Sequence, residues 1–223
     1  MRLSELLSRF RVEANDKVQP YFNEDTDVIA WLNDAVEEAC IRARLLHEFA
    51  NPDMCKITVV AGNSQYPLHD SLYELTSLRF EPEGGRCDRA VELTSEEMLS
   101  KTYYEDWRTR KGTPYFAIQS DTGLRLVPTP DEAGQLILEG YRLPLIPMDA
   151  NDDSPEINKT HHVHLVQWAL HKAFSIPDTE FFDPNRAQIA EMKFTEYFGE
   201  RPDADLRRMT REDIPHVSLP FWP

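Results

Sequence analysis

Apolar residues recur at Leu3, Leu6, Leu7 and Phe10, the i, i+3, i+4, i+7 stripe of an amphipathic helix over residues 3–13, with Ser4 placed to cap it. Pro20 and the polar run Asn23-Glu24-Asp25 end that unit. A longer stripe follows. Val28, Leu32, Ala35, Val36, Ala39, Ala43 and Leu46 share one face of a helix predicted over residues 27–49, capped by Asp25 or Thr26. At a rise of ~1.5 Å per residue it would be about 34 Å long. Asp34, Glu37, Glu38, Arg42 and Arg44 fall largely on its other faces.

After Asn51-Pro52-Asp53 the period changes to that of strands. Residues 55–61 and 65–68 read as a hairpin around Gly62-Asn63-Ser64, and residues 75–80 as a further strand. Residues 83–88 form a turn with paired glycines, and residues 90–93 a short strand. Thr94-Ser95-Glu96-Glu97 is a capping box that opens a helix to about Tyr104. Residues 114–119 and 124–127 pair around Ser120-Asp121-Thr122-Gly123, and residues 135–142 form the last strand.

An acidic connector over residues 149–156 leads into two helices. In the first, over residues 160–175, Val163, Val166, Leu170, Ala173 and Phe174 make the apolar stripe, and His161, His164 and His171 fall opposite. The second, over residues 184–198, has Asp183 as N-cap, Pro184 at its first position and Gly199 where a left-handed C-cap belongs. Ala187, Ala190, Phe194, Tyr197 and Phe198 form its core face. Beyond Gly199 periodicity stops, with prolines at 202, 215, 220 and 223. Residues 200–223 read as an extended arm that gains order by docking on a partner, with Ile214, Val217, Leu219, Phe221 and Trp222 as its contacts and the last two as anchors.

The expected fold is therefore α+β. N- and C-terminal helices form a helical bundle around a small central antiparallel β unit, with an extended C-terminal arm. The domain reading is one unit over residues 1–199 (helical 1–50, β-rich 51–148, helical 157–199) and the arm over 200–223.

Charge narrows the chemistry. The 223 residues carry 24 Lys and Arg against 39 Asp and Glu, a formal −15, which argues against a protein that grips nucleic acid through phosphates. An acidic wall past which DNA slides is compatible with it. No run approaches the ~18 apolar residues of a membrane span, and the charged start does not read as a signal peptide. Cys40, Cys55 and Cys87 are odd in number and widely spaced, so reduced thiols and no zinc site are expected.

Several groups invite a functional reading. Asp34, Glu37 and Glu38 could be a metal or acid–base cluster, but a solvated or subunit-facing helix side suits their spacing better. His164 and His171 lie two turns apart, roughly 10 Å, too far to share an ion. His161 and His164 are close enough, yet no carboxylate or thiol at ligand spacing joins them, and a face against a neighbouring subunit is expected. Tyr103, Tyr104, Trp107, Tyr115 and Phe116, with Arg108, Arg110 and Lys111 among them, could stack on single-stranded nucleic acid; core packing with an interface edge is the expected role. Gly84-Gly85 lacks the continuation of a phosphate loop. No catalytic residue, metal site or cofactor emerges.

Taken in order along one chain, several segments resemble the head-to-tail adaptor (head-completion, or tail-accessory) proteins of short-tailed bacteriophages. The opening residues 3–11 with residues 27–39 resemble that family's N-terminal helical pair. Residues 60–68 resemble its first hairpin, and residues 107–115, 124–130 and 139–145 its central β unit. Pro155-Glu156-Ile157 with residues 164–174 resembles its C-terminal helices. The resemblance spans residues 1–199.

It implies a structural virion protein of the neck, assembled in the host cytoplasm, with no enzymatic activity, cofactor or membrane association. Its partners would be the portal protein, identical subunits in a ring of twelve, tail or nozzle proteins, and genomic DNA that passes without specific binding. Asp34, Glu37, Glu38, His161, His164 and His171 would then face the lumen or a neighbouring subunit. Rival readings are a virion-associated peptidoglycan hydrolase, which needs two carboxylates ~5–10 Å apart across a groove, and a monomeric protein-binding module.

Overall fold

The computed structural model describes residues 1–84, 88–177 and 179–202, the side chains of residues 102–105 excepted. Ile214, Val217, Leu219, Phe221 and Trp222, the expected docking residues, lie outside the described residues, as do Gly85 and Cys87. The order of elements is α1 (Leu3–Ala14), α2 (Asp25–Ala43), β1 (His47–Glu48), α3 (Pro52–Cys55), β2 (Lys56–Val59), β3 (Gln65–Pro67) and β4 (Leu72–Pro82). It continues with β5 (Arg89–Ala90), β6 (Glu92–Leu93), α4 (Glu96–Tyr103), a 3-10 turn over Tyr104–Arg108, β7 (Phe116–Gln119) and β8 (Gly123–Val127). β9 (Gly134–Arg142), α5 (His162–Ser175) and α6 (Pro184–Phe198) complete it. The fold is α+β, and its described residues fall into two compact units, Met1–His47 with Tyr141–Arg201, and Glu48–Gly140.

In the first unit α1, α2, α5 and α6 share one apolar core, with Leu3, Leu6, Phe10, Leu32, Leu165 and Phe194 fully buried. α6 begins and ends where its sequence says: Asp183 accepts hydrogen bonds from the amides of Asn185 and Arg186, and Gly199 takes φ 86°. With ψ 175° that glycine lies outside the left-handed helical region expected of it, though still where a side chain is disfavoured.

The other helix ends differ from expectation. α1 is not capped by Ser4. The Glu5 carboxylate accepts the Arg2 amide, and the Leu3 and Ser4 amides donate to the carbonyls of Asp153 and Asn151. The acidic connector thus supplies acceptors to the orphan amides of a helix about 150 positions upstream. The connector holds its own turn through Asp153, whose carboxylate accepts the Asp149 and Ala150 amides and is thereby kept below the usual carboxylate range. α2 starts one residue before Thr26, with Glu24 as N-cap, and ends at Ala43, six residues short of expectation. Arg44 adopts φ 52° and ψ 50°, a left-handed residue that stops the helix without the glycine that would announce it. Glu48 then folds the next turn, its carboxylate accepting the amides of Phe49, Ala50 and Asn51.

The second unit holds two sheets around a common core that includes Val59, Tyr66, Leu78, Phe80, Leu126 and Leu138. One sheet has the order β1-β9-β4-β5, with β2 also paired on β9. The other runs β3-β8-β7-β6. β7 and β8 form the expected hairpin, with Ala117 opposite Leu126. The hairpin expected between residues 55–61 and 65–68 does not form. β2 pairs antiparallel with β9, Val59 opposite Gly134, whereas β3 pairs with β8, Tyr66 opposite Leu124. The turn between them is tied to the wrong geometry for a two-strand ladder: Gly62 takes φ 85° and donates to the Pro130 carbonyl, and Tyr66 Oη bonds the Val60 and Asn63 main chain. The chain therefore crosses from one sheet to the other at residues 60–64.

It crosses back at residues 68–71, again at Val91, which separates β5 on β4 from β6 on β7, and a fourth time at residues 128–133. The β6–β7 pairing is parallel, so the unit is not wholly antiparallel. Close backbone approach fixes β9: a Cβ on Gly140 would stand 2.5 Å from the Glu74 carbonyl, and one on Gly134 would stand 2.9 Å from the Phe80 ring. α4 is opened by Ser95, whose hydroxyl accepts the Met98 amide, rather than by Thr94.

Candidate functional site

The helical unit carries the candidate residues. On α2, Asp34 and Glu37 are exposed. Glu38 is not on their face. It is buried and pairs with Arg42, with 2.8 Å between Nε and Oε1. Arg42, expected on an outer face, also turns inward. Its Nη1 donates to Thr195 Oγ and the Gly199 carbonyl, and its guanidinium lies over the rings of Trp168 and Phe194. The carboxylate cluster therefore divides into two exposed acids and one half of an ion pair that locks α2 to α6.

The three histidines face α6 of their own chain, each partly exposed. His164 lies flat on Tyr197, ring centroids 3.4 Å apart and planes 12° apart, and His161 Nδ1 is 3.2 Å from Tyr197 Oη. Burial pushes the pKa of His161 and His164 down; His162 adds to this for the first, and His161 and Arg9 for the second. His171 Nδ1 donates to the Ala187 carbonyl. Tyr197, expected in the core, is 41% exposed because its ring covers this histidine row instead.

Beside the row runs a groove of about 520 Å³ between Arg9 and Glu13 of α1, His164 and Gln167 of α5, and Lys193 and Tyr197 of α6. Both Glu13 oxygens are engaged, one by Arg9 Nε at 2.9 Å and one by Gln167 Nε2 at 2.7 Å. The groove is thus a polar, internally bonded seam.

His162, adjacent in sequence, drew no expectation and is the most buried of the group at 1%. Its Nε2 donates to the Ile157 carbonyl. The α5 stripe is rotated from the expected one: Leu165, Val166 and Ala169 are buried and Val163 is not, which carries His162 inward. Reading the stripe from Leu165 would have found it.

A second arrangement escaped sequence reading altogether. Arg11 Nη1 donates to Asp16 Oδ2 and Arg11 Nη2 to Asp25 Oδ1, both at 2.6 Å. Asp16 also accepts the amides of Phe22 and Asn23. Burial raises the pKa of this carboxyl, but those two amides, the Asn23 side chain and the Arg11 guanidinium outweigh it and hold it below its usual range. The result is a fastened loop between α1 and α2.

In the β unit Trp107 is buried, its ring flanked by Arg108 at 4.2 Å and Arg125 at 5.0 Å, and its Nε1 donates to Ser100 Oγ. Glu96 ion-pairs with both arginines. Tyr115 is 38% exposed and Phe116 half-buried, so this stretch combines core and surface. Among the described residues no group of three or more His, Cys, Asp or Glu is arranged to hold a metal ion, and no helix is long and apolar enough to cross a membrane.

These arrangements are ion pairs, ring stacks and caps that hold helices and loops in register, which is what a structural protein needs. The family model described as SU10 adaptor protein matches residues 1–215. No match to a curated protein was found. The family is one of structural phage proteins rather than enzymes, associated with other head and tail proteins in the virion. With a match that covers nearly the whole chain, this protein belongs to the SU10 adaptor family.

Proposed function

We propose that copies of this chain close into a ring, twelve-membered as the resemblance implies, that docks beneath the portal, continues the DNA channel and offers an attachment platform to tail or nozzle proteins. The observation that carries this reading is the family match over residues 1–215. The exposed acids Asp34 and Glu37 and the net charge of −15 support an acidic lumen wall, which repels phosphates so that DNA passes without sticking. His161, His164 and His171, each partly exposed, belong to the face offered to the lumen or to a neighbouring subunit. The arm over residues 200–223 grips the portal or a neighbouring subunit through Ile214, Val217, Leu219, Phe221 and Trp222.

Native mass spectrometry tests the proposal, with the full chain alone, mixed with the portal protein of the same virion, and lacking residues 200–223. We expect multimeric uptake onto the portal by the full chain and loss of uptake on deletion. Uptake that survives deletion would move the contact to the helices. No uptake by the full chain would overturn the ring reading.

A further inference from the structure

The loop fastened by Asp16 is firmly held and yet presents apolar side chains to solvent: Val18 is 79% and Phe22 64% exposed. The Phe22 ring lies 5.9 Å from that of Phe181, which stacks at 4.8 Å and 11° on Phe174 at the end of α5. Ile176 and Phe182, chain neighbours of these rings, are exposed as well. Ring contacts that run from the solvent-exposed Phe22, on a loop held by a buried ion pair, mark out an interaction surface. Cations rim it. Lys17 is exposed beside Val18, and the Arg186 guanidinium sits 3.9 Å from the Phe174 ring.

The chain itself carries a segment of matching chemistry. Residues 217–222 read Val-Ser-Leu-Pro-Phe-Trp, and the acidic pair Glu212-Asp213 precedes them. Val217 lies fifteen positions beyond Pro202, a reach of about 50 Å when extended. The chain leaves α6 at Gly199, whose carbonyl is held by Arg42. The aromatic patch lies at the opposite end of α6, where the Asp183 amide donates to the Phe174 carbonyl. An arm that departs at one end and a receptor at the other make a head-to-tail pair of surfaces, the kind that closes a ring when repeated.

We infer that residues 217–222 of one copy seat on the Phe22–Phe181 patch of a second copy of this chain, with Phe221 and Trp222 against the exposed rings and Glu212 and Asp213 near Lys17 and Arg186. This rests on the ring reading above and names the contact that joins its members.

The test is a photo-crosslink in the full-length chain. Phe221 is replaced by p-benzoylphenylalanine, isotopically light and heavy copies are mixed, the mixture is loaded on the portal protein, and adducts are mapped after illumination. The inference expects mixed-isotope adducts within residues 17–22 or 176–186. Phe22→Asp should lower their yield about fivefold or more, as for a hot-spot ring, whereas Ile146→Asp, exposed outside the patch, should leave it unchanged. Adducts on other surfaces, adducts within one copy only, or none at all, in an assembly that still loads on the portal, would overturn the inference and leave the adaptor ring standing. Failure to load at all would overturn both.

Discussion

Arg11 and Asp16 are joined by a 2.6 Å hydrogen bond between side chains only 8% and 1% exposed, five residues apart across the end of α1. The pair closes a loop that contains no regular structure, and Asp16 serves two further amides there. Removing one member of a buried pair strands the other charge. Asp25 remains to Arg11, so Asp16→Ala should cost about 2–3 kcal/mol, somewhat below the usual penalty for a broken buried pair. Urea denaturation of the two proteins measures it.

The same carboxyl sets an acid limit. Its folded pKa lies below the unfolded value of about 3.9, so its contribution is present above pH ~4 and is lost as pH falls through the folded pKa. The urea midpoint of the wild type should decline below pH ~4 more steeply than that of Asp16→Asn.

The histidine row has its own pH dependence. Burial lowers the pKa of His161 and His164, so the folded chain favours their neutral forms. Their contribution is complete above the unfolded pKa of about 6.5 and fades as pH drops through the folded values. The double variant His161→Gln, His164→Gln should lose less thermal stability than the wild type between pH 8 and pH 5.5, as read by melting temperature.

Two glycines of β9 have no room for a side chain. Gly140→Ala meets the Glu74 carbonyl and the Leu75 Cα, and Gly134→Ala meets the Glu81 carbonyl and the Phe80 ring. Each should destabilise the β unit by about 1–3 kcal/mol through overpacking. Gly84→Ala, with nothing within 4 Å of the new Cβ, should stay within ~0.5 kcal/mol of the wild type.

Cys40 and Cys55 are buried thiols. Burial pushes the Cys40 thiol up to about 12, helped by Glu156 and Glu37 against the pull of Arg142; burial with Glu48 and Glu139 raises Cys55. A thiolate reagent at pH 8 should modify at most one of the three cysteines in the native chain, and all three once it is unfolded.

Much of the helical framework was legible because its signals are local. Asp183, Pro184 and Gly199 write both ends of α6 into adjacent residues, and the β7–β8 hairpin follows from alternation around a short turn. What sequence concealed depends on partners far along the chain. Arg44 ends α2 in a conformation that an arginine does not advertise, and α1 takes its cap from Asp153 and Asn151. Residues 55–68 carry a hairpin pattern, but β9 takes β2 and β8 takes β3, each into a separate sheet. At the candidate site, exposure of Asp34 and Glu37 followed from helical spacing. The inward turn of Glu38 did not, because it is drawn in by Arg42 rather than by periodicity.

The four crossings in the β unit, at residues 60–64, 68–71 and 128–133 and at Val91, act as covalent stitches between sheets that share one core. A tug on either sheet is passed to the other through main chain, over links only a few residues long. Neither sheet can peel away while its companion stays intact, so the unit yields as a whole or not at all. For an adaptor protein that joins other parts of a virion, that is shared mechanical load.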